Sequence, residues 1–304
     1  MTSLPHALML ALFLPALYAV LARGDWFARH VRHATAVRLS TIAAAAVLVP
    51  ANVYAMSLAV GSTVAFGVAS TSLTALIALV GAVALLRITD AKAAHPRRVL
   101  AIGAHPDDLE LACGGTLAKL VDNGHEVHAM VMSRGNIGGD QLERMSEARR
   151  AASFIGATSV TVHDFPDTAL QEASQGMVAA MEIAISRVEP DIILTHSAHD
   201  QHQDHAAVHT AALRAARQHS SILCFESPSV TREFNPSVFV DIADHIGIKV
   251  EAVKLHRDQT GKGKAYMSPQ RLRGLATFRG AQAKRQFAEG YEAVRLLGSA
   301  VGDM

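Results

Sequence analysis

The chain has 304 residues, 50% of them hydrophobic, and a formal net charge of +1; it is long enough for two units, and no basic surplus marks a nucleic-acid binder. Its two cysteines, Cys113 and Cys224, exclude a disulfide framework and a Cys-x-x-Cys metal knuckle. The near-zero total hides an asymmetry, because positions 39–86 hold no Asp, Glu, Lys or Arg while the chain from Arg97 onward is charged like a soluble protein.

A membrane-spanning helix needs roughly 20 mainly apolar residues, each adding about 1.5 Å against a hydrocarbon core of about 30 Å. Residues 4–22 meet that length. The uncharged stretch 39–86 would run about 72 Å as one helix, so it must fold back, and Gly61-Ser62 near its midpoint offers the turn. Three spans are expected, at 4–22, 39–60 and 63–86; Pro15 and Pro50 fall inside them, which neighbouring helices tolerate in lipid.

The loop 23–38 carries Arg23, Arg29, Arg32 and Arg38 against Asp25, and the segment after the third span carries Arg87, Lys92, Arg97 and Arg98 against Asp90. Both flanks are therefore expected on the cytoplasmic side, and three crossings join an outside N-terminus to a cytoplasmic domain. A signal peptide over 1–22 would lack the basic leading region such peptides carry. A buried soluble hairpin over 39–86 would need unusually long helices.

From Arg98 the pattern changes. Short apolar runs at 99–104, 127–132, 160–165, 192–195, 222–225 and 238–242 read as strands, and stretches at 111–123, 142–155, 171–188 and 204–218 read as helices, with a mostly helical last third. This alternation implies an α/β fold with a doubly wound, mainly parallel sheet, Rossmann-like, preceded by the all-α membrane segment. The division is a membrane anchor over 1–90 and a catalytic domain over 97–304.

In such sheets ligands bind beyond the carboxyl ends of the strands. Two polar clusters fall there, Ala104-His105-Pro106-Asp107-Asp108 after the first strand and His196 to His205 after the fourth. Five of the sixteen histidines lie between 196 and 209. A catalytic zinc takes three ligands from His, Asp or Glu and leaves a fourth position for water, whose pKa it lowers toward about 7. Adjacent carboxylates cannot easily both reach one ion, so one can ligate while its neighbour acts as a base. Each cluster alone reads equally as a polar turn or a solvated face; together, on one sheet edge, they point to a metal site.

The run Ala104-His105-Pro106-Asp107-Asp108-Leu109-Glu110-Leu111-Ala112-Cys113-Gly114-Gly115-Thr116-Leu117, with the later His202-Gln203-Asp204-His205, resembles the PIG-L/LmbE-like family of zinc-dependent N-acetyl-sugar deacetylases over roughly 97–290. The resemblance implies Zn2+ held by His105, Asp108 and His205, with Asp107 as general base. It implies that His202 stabilises the oxyanion or serves as acid, with Asp204 behind it. Arg144, opening a helix as Arg-x-x-Glu, is implied near substrate, and Asp167 in an acidic loop on sugar hydroxyls; each reads also as a helix-start pair or a turn. Gln203 stands where the family usually has Pro, and Asn136 where an acidic residue is common in the loop 134–139.

His196, His199 and His209 receive no role from the pattern. Gly114 and Gly115 serve either close approach to ion or substrate, or packing; Cys113 reads as packing, with no basic neighbour to activate it. The implied activity is removal of an acetyl group from an N-acetylglucosamine-type sugar by a multi-pass cell-membrane protein with a cytoplasmic catalytic domain. Its substrate could be lipid-linked or soluble. A metal-dependent amidase on another small conjugate, or a non-catalytic metal-binding membrane protein, would use the same residues.

Overall fold

The computed structural model describes residues 3–58, 62–89 and 91–298, in two units, Met1–Thr89 and Asp90–Met304. The first unit holds helices α1 (Ser3–Ala22), α2 (Gly24–His30), α3 (Ala34–Ala55) and α4 (Thr63–Leu85). α1, α3 and α4 are long and apolar enough to cross a membrane. Apolar side chains such as Tyr18, Val47, Phe66 and Val80 stand on their outer faces, while Phe13, Ala45 and Leu76 pack between them.

Polar groups join the three helices as well: His6 Nδ1 lies 2.8 Å from Asn52 Oδ1, and Asn52 Nδ2 donates to Ser72 Oγ at 2.7 Å. The loop read over 23–38 contains α2, a seven-residue helix with no apolar periodicity of its own to announce it. Gly61, offered as the turn, and positions 59–60 of the second expected span lie outside the described residues.

The second unit contains helices α5 (Asp108–Asp122), α6 (Gln141–Ile155), α7 (Ser174–Val188), α8 (Gln203–Ala215), α9 (Ile246–Lys254), α10 (Arg257–Thr260) and α11 (Pro269–Ala283). Its strands are β1 (Arg98–Gly103), β2 (Glu126–Val131), β3 (Ser159–Val162), β4 (Ile192–His196), β5 (Ile222–Phe225), β6 (Val238–Asp241) and β7 (Ala288–Arg295). They form one sheet in the order β3-β2-β1-β4-β5-β7-β6. β1 to β5 are parallel; β7 runs antiparallel to β5 and β6.

β1 and β4 are continuous apolar runs because helices cover both faces of a parallel sheet. Leu100, Ile102, Met130, Met177, Met181 and Ile193 form the core beneath α7 and α8. From β1 the chain winds outward to β2 and β3, then returns to β4 and β5. The strand order therefore reverses between β1 and β4, which opens a crevice at their carboxyl ends.

The last third is mostly helical, as expected, in α9, α10 and α11, but β7 lies within it. The sequence Ala-Glu-Gly-Tyr-Glu-Ala-Val-Arg lacks a clean apolar alternation because Glu289 is buried. Its carboxylate accepts from Gly115 N (3.1 Å) and Thr116 N (2.7 Å) and pairs with Lys249 Nζ at 2.5 Å. Lys249→Met would leave that carboxylate buried without its cation and should cost about 3–5 kcal/mol, read as a lowered urea midpoint of the α/β unit.

Candidate metal centre and active site

Both polar clusters converge on the crevice between β1 and β4. After β1 the chain has only Ala104 to Asp107 before α5 begins, and it makes the corner by placing Asp107 at φ 118°. A non-glycine residue there carries about 1–3 kcal/mol of strain. Arg144, buried on α6, braces the corner: Nη2 donates to Pro106 O (3.0 Å) and lies 3.5 Å from Asp107 Oδ2, while Nη1 donates to Gly135 O at 2.7 Å. Arg144 lines the cavity with two of its nitrogens already committed to backbone carbonyls.

Asp108, the first residue of α5, turns back toward the strand end. Its Oδ2 accepts from Ala104 N (3.0 Å) and His105 N (2.7 Å). The same carboxylate lies between two imidazoles, with His105 Nδ1 at 3.5 Å from Oδ2 and His205 Nε2 at 3.4 Å from Oδ1. Ligand atoms about 2.1 Å from a tetrahedral ion stand about 3.4 Å apart, so these separations fit a shared ion.

The far nitrogen of each imidazole meets another buried carboxylate. His105 Nε2 is 2.9 Å from Asp204 Oδ2 and 3.2 Å from Asp167 Oδ1, and His205 Nδ1 is 2.8 Å from Asp200 Oδ2. Such partners orient metal-ligating histidines and raise their basicity. The N, O, N donor set suits a borderline cation such as zinc. Asp108 thus faces both His105 and His205, and the donor types present fit the ion.

Three sets of possible ligand atoms lie within 4.8 Å of one another: those of His105, His202 and His205, of Asp108, His196 and His205, and of His105, Asp167 and Asp204. His202 caps α8, its Nδ1 accepting from Asp204 N at 3.2 Å, which places its proton on Nε2 as a donor. Its ring stacks on His205 at 4.5 Å and meets His105 at 4.9 Å. His196 is fully buried behind the site, stacked on His205 at 3.9 Å, with Nε2 3.2 Å from Asp108 Oδ2. Burial and the His205 charge bring its pKa down to about 4. His209 Nδ1 sits 2.8 Å from His196 O, and His199 lies outside the cluster at 3.8 Å from Glu292.

The charges form one system. Burial, then the adjacent Asp108, push Asp107 up to about 6 against the pull of Arg144. Burial opposes ionisation of Asp108 too, but His205, His105 and His196 outweigh it and hold that carboxyl well below the usual range. Burial opposes charge on His205, yet Asp108 and Asp200 raise it to about 9. Burial and the His205 and His105 charges lower His202. Five carboxylates, those of Asp107, Asp108, Asp167, Asp200 and Asp204, surround these imidazoles, a surplus of negative charge that a divalent ion offsets as it displaces protons.

Two sequence-based expectations change. Asp204 does not stand behind His202; its carboxylate accepts from Thr168 N (2.7 Å) and Leu170 N (3.1 Å) and faces His105. At the second position of α8 the side chain points back over the preceding loop, where those amides lie. Gly115 serves packing, since a Cβ there would sit 2.8 Å from Ile242 Cδ1, whereas a Cβ on Gly114 would meet nothing closer than 3.5 Å. Cys113 is buried, and burial pushes its thiol well up. Asp167 lines the cavity but spends its carboxylate on His105 and on Ile137 N at 2.7 Å; burial opposes its ionisation, yet these contacts bring it to about 2. The cavity, about 360 Å³, is lined also by Tyr266, Lys264 and Ile137.

A family model described as "PIG-L: GlcNAc-PI de-N-acetylase" matches residues 100–216. The uncharacterized deacetylase YaiS of Escherichia coli (strain K12) is 37% identical over 166 residues, 52% of this chain and 90% of that protein. The diacetylchitobiose deacetylase of Thermococcus kodakarensis is 29% identical over 238 residues, 68% and 88% of the two chains. Among solved structures, the N,N'-diacetylchitobiose deacetylase from Pyrococcus horikoshii aligns with TM-score 0.54 at 21% identity, covering 67% of this chain and 89% of that one. At that identity the likeness is one of fold.

Proposed function

Because the chain belongs to the PIG-L family of deacetylases, we propose that it is a zinc-dependent hydrolase that removes the acetyl group from an N-acetylglucosamine-type sugar. The observation that carries this reading is the Asp108 carboxylate between His105 Nδ1 and His205 Nε2, at 3.5 and 3.4 Å, with the raised Asp107 carboxyl beside it in the cavity wall. When bound there, the ion supplies Lewis-acid polarisation of the acetamide carbonyl and a more acidic water.

The chain supplies the rest. Asp107 accepts a proton from the water that attacks the carbonyl. His202, neutral with its proton on Nε2, donates a hydrogen bond to the oxygen as it becomes an oxyanion. Asp107 then passes its proton to the nitrogen as the C–N bond breaks, giving acetate and a free amine. Arg144 holds the corner on which Asp107 stands.

A base works only when ionised, so kcat/KM should fall as pH drops through the Asp107 range, about 6 in the chain alone. Bound cation favours the carboxylate and moves that limb lower; a pH–rate profile with no loss of activity between pH 7 and 4 would contradict the assignment. The reading as a whole is tested by acetate release from N-acetylglucosamine, diacetylchitobiose and other acetamides, using the metal-stripped chain with and without zinc. Zinc-restored release from the sugars supports it; zinc-restored cleavage confined to non-sugar amides would replace it with an amidase.

The proposal extends to a multi-pass membrane protein with the catalytic unit on the cytoplasmic side. Length and composition of α1, α3 and α4 support it, as do the arginines between the first two of them and the basic residues after α4. The His6–Asn52–Ser72 bonds support it too, satisfying polar groups that lipid could not. The chain should resist alkaline carbonate extraction and dissolve in detergent. Such an anchor is compatible with a soluble sugar and equally with a substrate carried in the same bilayer, a lipid-linked N-acetylglucosamine; if the substrate is lipid-linked, deleting 1–90 should spare soluble substrates and abolish turnover in vesicles.

A further inference from the structure

The carboxylate of Asp200 takes no part in the steps above, yet it is nearly sealed from solvent, at 8% exposure. It stands on the loop after β4, and its two oxygens carry separate obligations. Oδ1 accepts from His202 N at 3.0 Å and from Ser229 Oγ at 2.6 Å. Oδ2 accepts from Ser227 Oγ and lies 2.8 Å from His205 Nδ1, with His196 Nδ1 farther off at 3.9 Å. The serine hydroxyls can rotate to donate or accept. The backbone amide of His202 can only donate, so Oδ1 must stay an acceptor.

His205 lies between two carboxylates that compete for its proton. Asp200 meets Nδ1 at 2.8 Å, and Asp108 meets Nε2 at 3.4 Å. A proton retained on Nε2 would occupy the lone pair that faces Asp108, the one a cation needs. Resting on the metal centre read above, we propose that Asp200 is the positioning residue that keeps the His205 proton on Nδ1, leaving Nε2 free to share a divalent cation with Asp108 and His105. Ser227 and Ser229 hold the carboxylate in register. His105 has its own buried partners in Asp204 and Asp167, so of the two histidines facing Asp108 it is His205 that depends on Asp200.

Asp200→Asn in the full chain tests this with almost no change of shape. The His202 amide still requires an acceptor, so the new amide oxygen takes the Oδ1 place and the NH₂ takes the Oδ2 place. There it donates to His205 Nδ1 and moves the histidine proton to Nε2. Zinc affinity, measured by competition with a chelator, should fall by about 10- to 100-fold. Affinity within twofold of the parent would overturn the proposal. Should the variant fail to fold, ¹⁵N imidazole shifts of the zinc-loaded parent decide: a proton on Nδ1 of His205 supports the assignment and a proton on Nε2 overturns it. Neither readout involves acetate release, so failure of the deacetylase reading would be seen separately.

Discussion

Asp107→Asn should lower kcat for acetate release by about 10²–10⁴-fold, the range that a lost general base costs, while zinc still binds. The asparagine keeps the volume of the side chain and can keep the corner at φ 118°, because asparagine tolerates positive φ better than most residues. It cannot take a proton from water. The removed charge also matters to its neighbours: Asp107 stands beside Asp108 and within 3.5 Å of Arg144. Relieving the repulsion from Asp108 should leave that carboxylate a competent ligand. Steady-state kinetics and chelator competition on the same preparation separate the two effects. Turnover within tenfold of the parent would remove Asp107 from the base role, and loss of zinc would show it to be a ligand.

Asp108→Ala should abolish both metal binding and turnover. This carboxylate faces both His105 and His205 across the crevice, and it also fastens the amides of Ala104 and His105 at the start of the corner. Zinc affinity should fall well beyond the about 10–100-fold that follows loss of an outer partner such as Asp200. His205→Ala should behave alike in zinc binding without unfastening the corner, since it contributes none of those amide contacts. Equal zinc affinity in parent and Asp108→Ala chains would show that the ion sits elsewhere, among His105, His202 and His205.

Much of this was legible in the sequence, for identifiable reasons. β1 and β4 are continuous apolar runs, covered on both faces, and each ends in a cluster too polar to be core; the chain order then places both ends at one switch point. His105, Asp107, Asp108, His202 and His205 stood out as candidates because each cluster is local in sequence, and the family resemblance supplied the role of each. What depended on distant contacts could not be read. β7 was hidden by Glu289, whose burial makes sense only beside Lys249 and the amides of α5. Asp204 was assigned to His202, its neighbour in sequence, whereas helix geometry turns it to His105, ninety-nine positions away. Asp200 offered one signal, the spacing Asp-x-His-x-Asp-His, but its serine partners lie beyond β5. Arg144 was read as a substrate contact, and its bonds to Pro106 and Gly135 add a bracing role that no local pattern encodes.

The central claim is that two distant stretches of chain meet around a single ion. Anomalous diffraction at the zinc absorption edge, on crystals of the zinc-loaded chain, tests it most directly. The expected result is one peak about 2.0–2.2 Å from His105 Nδ1, an Asp108 oxygen and His205 Nε2. A peak beyond bonding reach of any of these three, or crystals that take up no zinc, would contradict it.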